Sequence, residues 1–145
     1  LKMAYAYSRV LGAGLAIVAK RRKSASEVES MAIIGEIRGK DVLLVDDLTE
    51  TASTLVKAAE LIKHRGAKRI RACVSHAILD DLALERLSKS AIDELVTTDT
   101  VFRPAIRGVK IVTLSVAALL GEAIKRIHSN SSVTSLFAFK GGSTS

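Results

Sequence analysis

Apolar and polar positions along this chain follow two periods, one helical and one extended. Met3, Ala6, Tyr7, Val10 and Leu11 recur at i, i+3, i+4, i+7 and i+8, which predicts an amphipathic helix at the start. A short apolar run at 15–18, after Gly12 and Gly14, predicts a buried strand. Residues 20–29 are charged and small and read as a loop, and 31–37 as a second strand. The run 41–45 (D-V-L-L-V) follows the turn signal Gly39-Lys40 and reads as a central parallel strand. A helix is predicted over 53–65. Leu55, Ala58, Ala59 and Ile62 form its apolar stripe, Lys63, His64 and Arg65 suit its C-terminal dipole, and Gly66 is its stop.

The second half continues the alternation. Residues 69–75 place Ile70, Ala72 and Val74 on one face of a strand. Asp80 or Asp81 can cap a helix running to about Ser88. Strands are expected over 94–97 and 109–114. A helix follows over 115–128, where Val116, Leu119, Leu120, Ala123, Ile124 and Ile127 keep helical spacing. This β-α-β-α order predicts an α/β fold: a parallel sheet with helices on both faces.

Composition narrows the class. The 145 residues suffice for one domain with its own core. With 48% hydrophobic and 26% charged residues the balance is globular, not disordered. One proline and nine glycines exclude a collagen-like or linker-rich chain. No apolar run reaches the ~18 residues of a membrane span, so no membrane partner is expected. Cys73 is the single cysteine, which excludes an internal disulfide and predicts a reducing, cytoplasmic setting. A net charge of +7 favours anionic partners. Nucleic acid is not among those expected, because none of Tyr5, Tyr7, Phe102, Phe137 and Phe139 is interleaved with a basic run. The chain opens on Leu1 directly in a helical pattern, with neither a preceding cap nor a signal-peptide layout, and reads as a piece of a longer protein. Residues 1–137 are expected to form the domain and 138–145 a flexible tail.

The chemistry concentrates at 45–54 (V-D-D-L-T-E-T-A-S-T), where an apolar strand is expected to end in Asp46 and Asp47. A loop of hydroxyl and small residues then leads into a helix. In open parallel sheets ligands bind beyond the carboxyl ends of the strands, and the free N–H groups of a helix N-terminus bind phosphate. Thr51, Ser53 and Thr54 add hydroxyl donors. Adjacent carboxylates repel each other unless cations or hydroxyls use them. Paired aspartates beside a phosphate cradle suit the vicinal hydroxyls of a ribose, directly or through Mg²⁺. The residues thus predict a sugar-phosphate site, although Asp, Thr and Ser are also ordinary cap and loop residues.

Residues 46–54 resemble the phosphoribosyl-diphosphate (PRPP) signature of the type I phosphoribosyltransferase fold, a Rossmann-like parallel sheet. More of the chain is similar to one branch, the ribose-phosphate pyrophosphokinase (PRPP synthetase) family. The similarity runs through Lys20-Arg21-Arg22, Ser26-Glu27-Val28, Ile33-Ile34-Gly35, Gly39-Lys40-Asp41-Val42, 63–70, Ser75-His76, 92–100, 114–128 and 132–137. It extends over nearly all of 1–137 and matches the C-terminal domain alone. The N-terminal half, which in the family carries much of the ATP surface, has no counterpart in this chain.

The resemblance implies transfer of the diphosphoryl group of ATP to C1 of ribose 5-phosphate, with Mg²⁺, to make PRPP for nucleotide biosynthesis. It implies that Asp46 and Asp47 hold the ribose hydroxyls and metal, and that Glu50, Thr51, Ala52, Ser53 and Thr54 hold the 5-phosphate. Lys20 and Arg22 would be the catalytic cations, in line with phosphoryl transfer as positioning plus electrostatics. His76 would lie near the active site on the nucleotide side. Ser132, Thr134 and Phe137 would contribute to an allosteric phosphate or ADP site at subunit contacts of a homo-oligomer. Ribose 5-phosphate, ATP/ADP and PRPP are the implied small-molecule partners, and an isolated piece is expected to be weakly active or inactive. The chain departs from the family pattern at Glu50, where Asp is usual, at Ser53, where Gly is usual, and at Ala19, where Asp is common.

The other reactive residues have simpler readings. Lys20–Lys23 taken alone is a solvated charge run. His64 and His128 suit helix C-termini, and Cys73 a small buried strand position. The His and Cys spacing supports no zinc site, and Asp99 is assigned at most a loop cap. Two alternatives stay open: a phosphoribosyltransferase that modifies a base, for which no base-recognition segment is found, and a non-catalytic regulatory or scaffold relative.

Overall fold

A computed structural model describes residues 2–21, 30–101 and 110–137. Helix α1 (Lys2–Leu11) opens the chain, followed by strands β1 (Ile17–Arg21) and β2 (Ser30–Ile34). Strand β3 (Asp41–Thr49) leads to α2 (Ser53–His64), β4 (Arg69–Ala77), α3 (Asp81–Ser88), β5 (Glu94–Thr98), β6 (Ile111–Leu114) and α4 (Ala117–His128), and a 3₁₀ turn covers Thr134–Phe137. Strands β3-β4-β5-β6 form a parallel sheet in that order, and β1 and β2 pair antiparallel as a separate ribbon.

Strands stepping in one direction with right-handed crossovers place their connecting helices on one face. Helices α2 and α3 accordingly pack together over Ile70, Ala72 and Val74 of β4, the face the alternation predicts. Leu55, Ala58, Ala59 and Ile62 are all buried, as the α2 stripe requires. Each large apolar side chain so buried stabilises by roughly 1.5–3 kcal/mol. Cys73 points to the other face, and α1 reaches it there, Tyr7 Oη lying 3.4 Å from Cys73 Sγ. Helices thus contact both faces of the sheet.

Local signals account for the element ends. Asp80 caps α3, its Oδ1 accepting from Ala83 N at 2.7 Å. Gly66 takes φ +89° just past α2, the left-handed conformation that a helix stop favours in glycine. Gly35 has φ +117°, and a Cβ there would meet Leu15 O at 2.9 Å, so only glycine lets the end of β2 pass over the start of β1. Arg69 ion-pairs with Asp41, its register partner, at the start of β3 and β4. That contact holds the Asp41 carboxyl below its usual range.

The structure corrects three expectations. Strand β3 is an edge strand among the described residues, not a central one, because β1 and β2 pair with each other instead of joining the sheet. It also runs on through the aspartate pair to Thr49, Leu48 pairing with His76 and Thr49 with Ala77. Lys20 and Arg21 belong to β1 rather than to a loop. The α4 stripe is open to solvent: Leu119, Leu120, Ile124 and Ile127 are each half or more exposed. Periodicity identifies the face of a helix that is apolar, and a neighbour decides whether that face is covered.

Candidate functional site

The continuation of β3 past Asp46-Asp47 separates the two carboxylates. Successive strand side chains project to opposite faces. Asp46 lines an open hollow of about 350 Å³ at the end of β3, together with Leu48, Thr49 and residues 50–55, and Asp47 lies outside that lining. Asp46 Oδ1 accepts from Asp47 N, and Asp47 Oδ1 from Leu48 N, each at 2.9 Å. Asp46 is half-buried and Asp47 exposed.

The loop then turns sharply into α2. Ala52 is fully buried and sits at φ +54°, ψ 1°, a left-handed conformation uncommon for a residue with a Cβ. Ala52 belongs to one buried cluster with Leu55, Val74, Ala83 and Leu87, and this burial holds the loop in its strained shape. Ala52 O accepts from Val56 N at 2.9 Å, the first bond of α2. No side chain caps the α2 N-terminus; Thr51 Oγ1 approaches Ser53 N at 3.5 Å, the long limit of a hydrogen bond. The hollow therefore presents the N–H groups of the first turn of α2, the hydroxyls of Thr51, Ser53 and Thr54, and the Asp46 carboxylate. Such a set can take a phosphate on the N–H groups and hydroxyls, and sugar hydroxyls on the carboxylate. Glu50, exposed on the same lining, adds negative charge.

Among the described residues no group of three or more His, Cys, Asp or Glu could hold a metal. Mg²⁺ is commonly bound by one or two carboxylates completed by substrate phosphates and water. Asp46 fits that part, and Asp47 projects to the other face of the strand.

His76 lies on β4, paired in register with Leu48 of the site strand, and is exposed. Its Nδ1 is 2.8 Å from Thr100 Oγ1, and Thr98 and Thr100 both bond Ser75 O, at 2.7 and 3.2 Å. It is thus fixed at the same end of the sheet but contributes nothing to the hollow's lining. The backbone of Lys20 lies in β1, and Arg22 falls outside the described residues. Ser132 and Thr134 join each other by their hydroxyls at 3.1 Å in the turn after α4, and Arg126 bonds Ser132 O at 3.1 Å, while Phe137 is 77% exposed.

Two residues near this end of the sheet carry no signal in local spacing. Asp99 accepts from Val116 N at 2.8 Å and bonds Ser115, tying the end of β5 to the start of α4. These contacts hold its carboxyl below the usual range. Arg86 of α3 donates to Thr51 O at 3.0 Å across 35 residues of sequence.

A second, larger cavity of about 530 Å³ runs along the edge of β3 between α1, β1 and α2, and shares Asp46, Thr54 and Leu55 with the hollow. It is mostly apolar, with Lys40 among its lining, whereas the N-terminus of α2 and the hydroxyls of Thr51 and Ser53 line the smaller one.

The fold and hollow define the class: an α/β protein with a parallel sheet and a polar hollow beyond the end of β3, the position at which open parallel sheets bind their ligands. Within that class, residues 7–138 match the phosphoribosyl synthetase-associated domain, and the chain belongs to that family. It is 47% identical over 128 residues to the ribose-phosphate pyrophosphokinase of Campylobacter jejuni, covering 88% of this chain and 41% of that one. With the enzyme of the same name from Porphyromonas gingivalis it shares 44% identity over 138 residues, 95% of this chain and 44% of the other. The crystal structure of phosphoribosylpyrophosphate synthetase from Mycobacterium smegmatis superposes with a TM-score of 0.74 at 28% identity, covering 90% of this chain and 42% of that one. The chain thus spans less than half the length of these relatives. No described helix is long and apolar enough to cross a membrane.

Proposed function

We propose that this chain is the ribose 5-phosphate- and PRPP-binding domain of a cytoplasmic ribose-phosphate diphosphokinase, corresponding to the C-terminal half of that two-domain enzyme and folded as a type I phosphoribosyltransferase. The observation that carries this reading is the hollow where Asp46 faces an α2 N-terminus without a side-chain cap. The N–H groups at 53–55, with the hydroxyls of Thr51, Ser53 and Thr54, receive the 5-phosphate. Asp46 accepts from the pentose hydroxyls and orients C1, and Asp47 contributes from the other face of the strand. Mg²⁺, held by an aspartate together with substrate oxygens, supplies charge neutralisation for the diphosphoryl group. Lys20 and Arg22 serve as the cations that stabilise charge on the transferred phosphates of the co-substrate ATP, and His76 serves the nucleotide side. The name shared by the relatives supports the reaction class.

The exposed apolar stripe of α4 suits cover by a second subunit of a homo-oligomer, with Ser132, Thr134 and Phe137 at an allosteric phosphate or ADP site beside it. The 145-residue chain by itself is expected to bind ribose 5-phosphate and to form little or no AMP from ATP. Calorimetric titration with ribose 5-phosphate and Mg²⁺ tests this. Asp46→Ala is expected to weaken binding about tenfold or more, the scale of a lost hydrogen bond to a charged group. Absence of heat with millimolar sugar phosphate would leave the scaffold reading in its place. Base-dependent consumption of PRPP would favour a phosphoribosyltransferase, and robust AMP formation by this chain alone would overturn the domain assignment.

A further inference from the structure

The loop that carries the proposed phosphate site is shaped by a residue outside it. Thr51 and Ala52 form the tightest part of the turn, and Ala52 holds a left-handed conformation that isolated chains avoid. Behind it lies α3, whose Ala83 and Leu87 pack with Ala52 in one buried cluster. From the last turn of α3, the half-buried Arg86 places Nη1 3.0 Å from Thr51 O. No α3 residue lines the hollow.

In a planar trans peptide the C=O and N–H of one unit point in opposite directions. A Thr51 carbonyl drawn back to α3 therefore turns Ala52 N–H the other way, toward the hollow that Ala52 lines. Were that peptide to flip, a carbonyl oxygen would face the incoming anion in place of an N–H donor. Arg86 also sets a permanent positive charge directly behind the loop.

We infer that Arg86 is a positioning residue of the phosphate cradle: it anchors the Thr51 carbonyl so that the Ala52 N–H is presented to the 5-phosphate. This rests on the proposed reading of the hollow as a ribose 5-phosphate site. Arg86 itself does not touch the sugar phosphate. Its effect is specific to the phosphate end of the ligand, since Asp46, which serves the pentose hydroxyls, stands on β3.

The test uses the 145-residue chain with Arg86→Gln and Arg86→Lys. Titration with ribose 5-phosphate is expected to show about tenfold weaker binding for R86Q. R86K, which keeps the charge and one donor, recovers about a third to a half of that loss on a logarithmic scale. Unphosphorylated ribose should bind the three proteins equally within about twofold, a contrast that a merely structural role of Arg86 would not produce. In the ligand-free proteins the backbone amide resonance of Ala52 is expected to move in both variants while those of β5 stay in place. If R86Q does not fold, R86K carries the same readouts. Unchanged ribose 5-phosphate affinity together with an unmoved Ala52 amide would overturn the inference, as would equal losses for ribose and its phosphate. A wild-type chain that binds no ribose 5-phosphate, but whose Ala52 amide moves on substitution, would reject the functional reading and leave the anchoring by Arg86 standing.

Discussion

Helices α2 and α4 are both twelve residues long, and both carry apolar side chains at helical spacing. Ile62 of α2 is 2% exposed, whereas Ile124 of α4 is 67% exposed. The difference does not lie in the helices. Helix α2 follows an edge strand and is folded back onto β4 by the crossover, so its stripe meets Ile70, Ala72 and α3. Helix α4 follows the last strand, and its described tertiary anchors are polar: Asp99 at its start, and Arg126 with Ser132 beyond its end. The same amphipathic pattern thus serves as core in one place and as open surface in the other.

The sharpest way to break that comparison is truncation at matched positions. Ile62→Ala is expected to lower stability by roughly 2–5 kcal/mol, as large-to-small changes in a packed core do. Ile124→Ala should stay within about 0.5 kcal/mol in the monomeric chain. Urea unfolding of the two variants at low protein concentration measures both. A large loss at Ile124 that grows with protein concentration would show that a second copy covers α4.

A smaller effect concerns a flaw on the buried side. Thr97 is 4% exposed on the α2–α3 face, and its hydroxyl finds no partner among the described residues. Replacing an unsatisfied buried hydroxyl by a methyl group removes a desolvation penalty. Thr97→Val is expected to raise stability by about 1 kcal/mol, seen as a higher urea midpoint with unchanged slope.

The smallest expected effect is on the opposite face of β4. Tyr7 is pushed up from 10.0 to about 12, first by its hydrogen bond with Cys73, then by burial, then by charge interaction with Cys73. A raised folded-state pKa means that the contact's stabilisation is complete below about pH 10 and lost as pH climbs toward 12. Ultraviolet titration of Cys73→Ala is expected to return Tyr7 toward the value of an ordinary tyrosine, with little change in stability at neutral pH. An unshifted Tyr7 would show that α1 does not rest on this face.

Much of the fold was legible because its determinants are local. The stripe of α2, the alternation of β4, the Asp80 cap and the Gly66 stop each lie within a turn or two of the element they define. The site was legible as a stretch of residues, 46–54, since a strand, carboxylates, hydroxyls and a helix start are adjacent in sequence. Its division was not: the aspartate pair reads as one grip only if the strand ends before it.

What the sequence by itself determined, then, is which segments become helix or strand and which of their faces are apolar, because hydrogen-bond periodicity and capping act over a few residues. Only the tertiary structure decided that β3 is an edge strand among the described residues, that Asp46 rather than Asp47 lines the hollow, that Arg86 bonds Thr51 O from 35 residues away, and that the apolar side chains of α4 are exposed where those of α2 are buried. Those outcomes depend on how far a strand pairs and which elements meet in space, and residue spacing along the chain does not encode such distances.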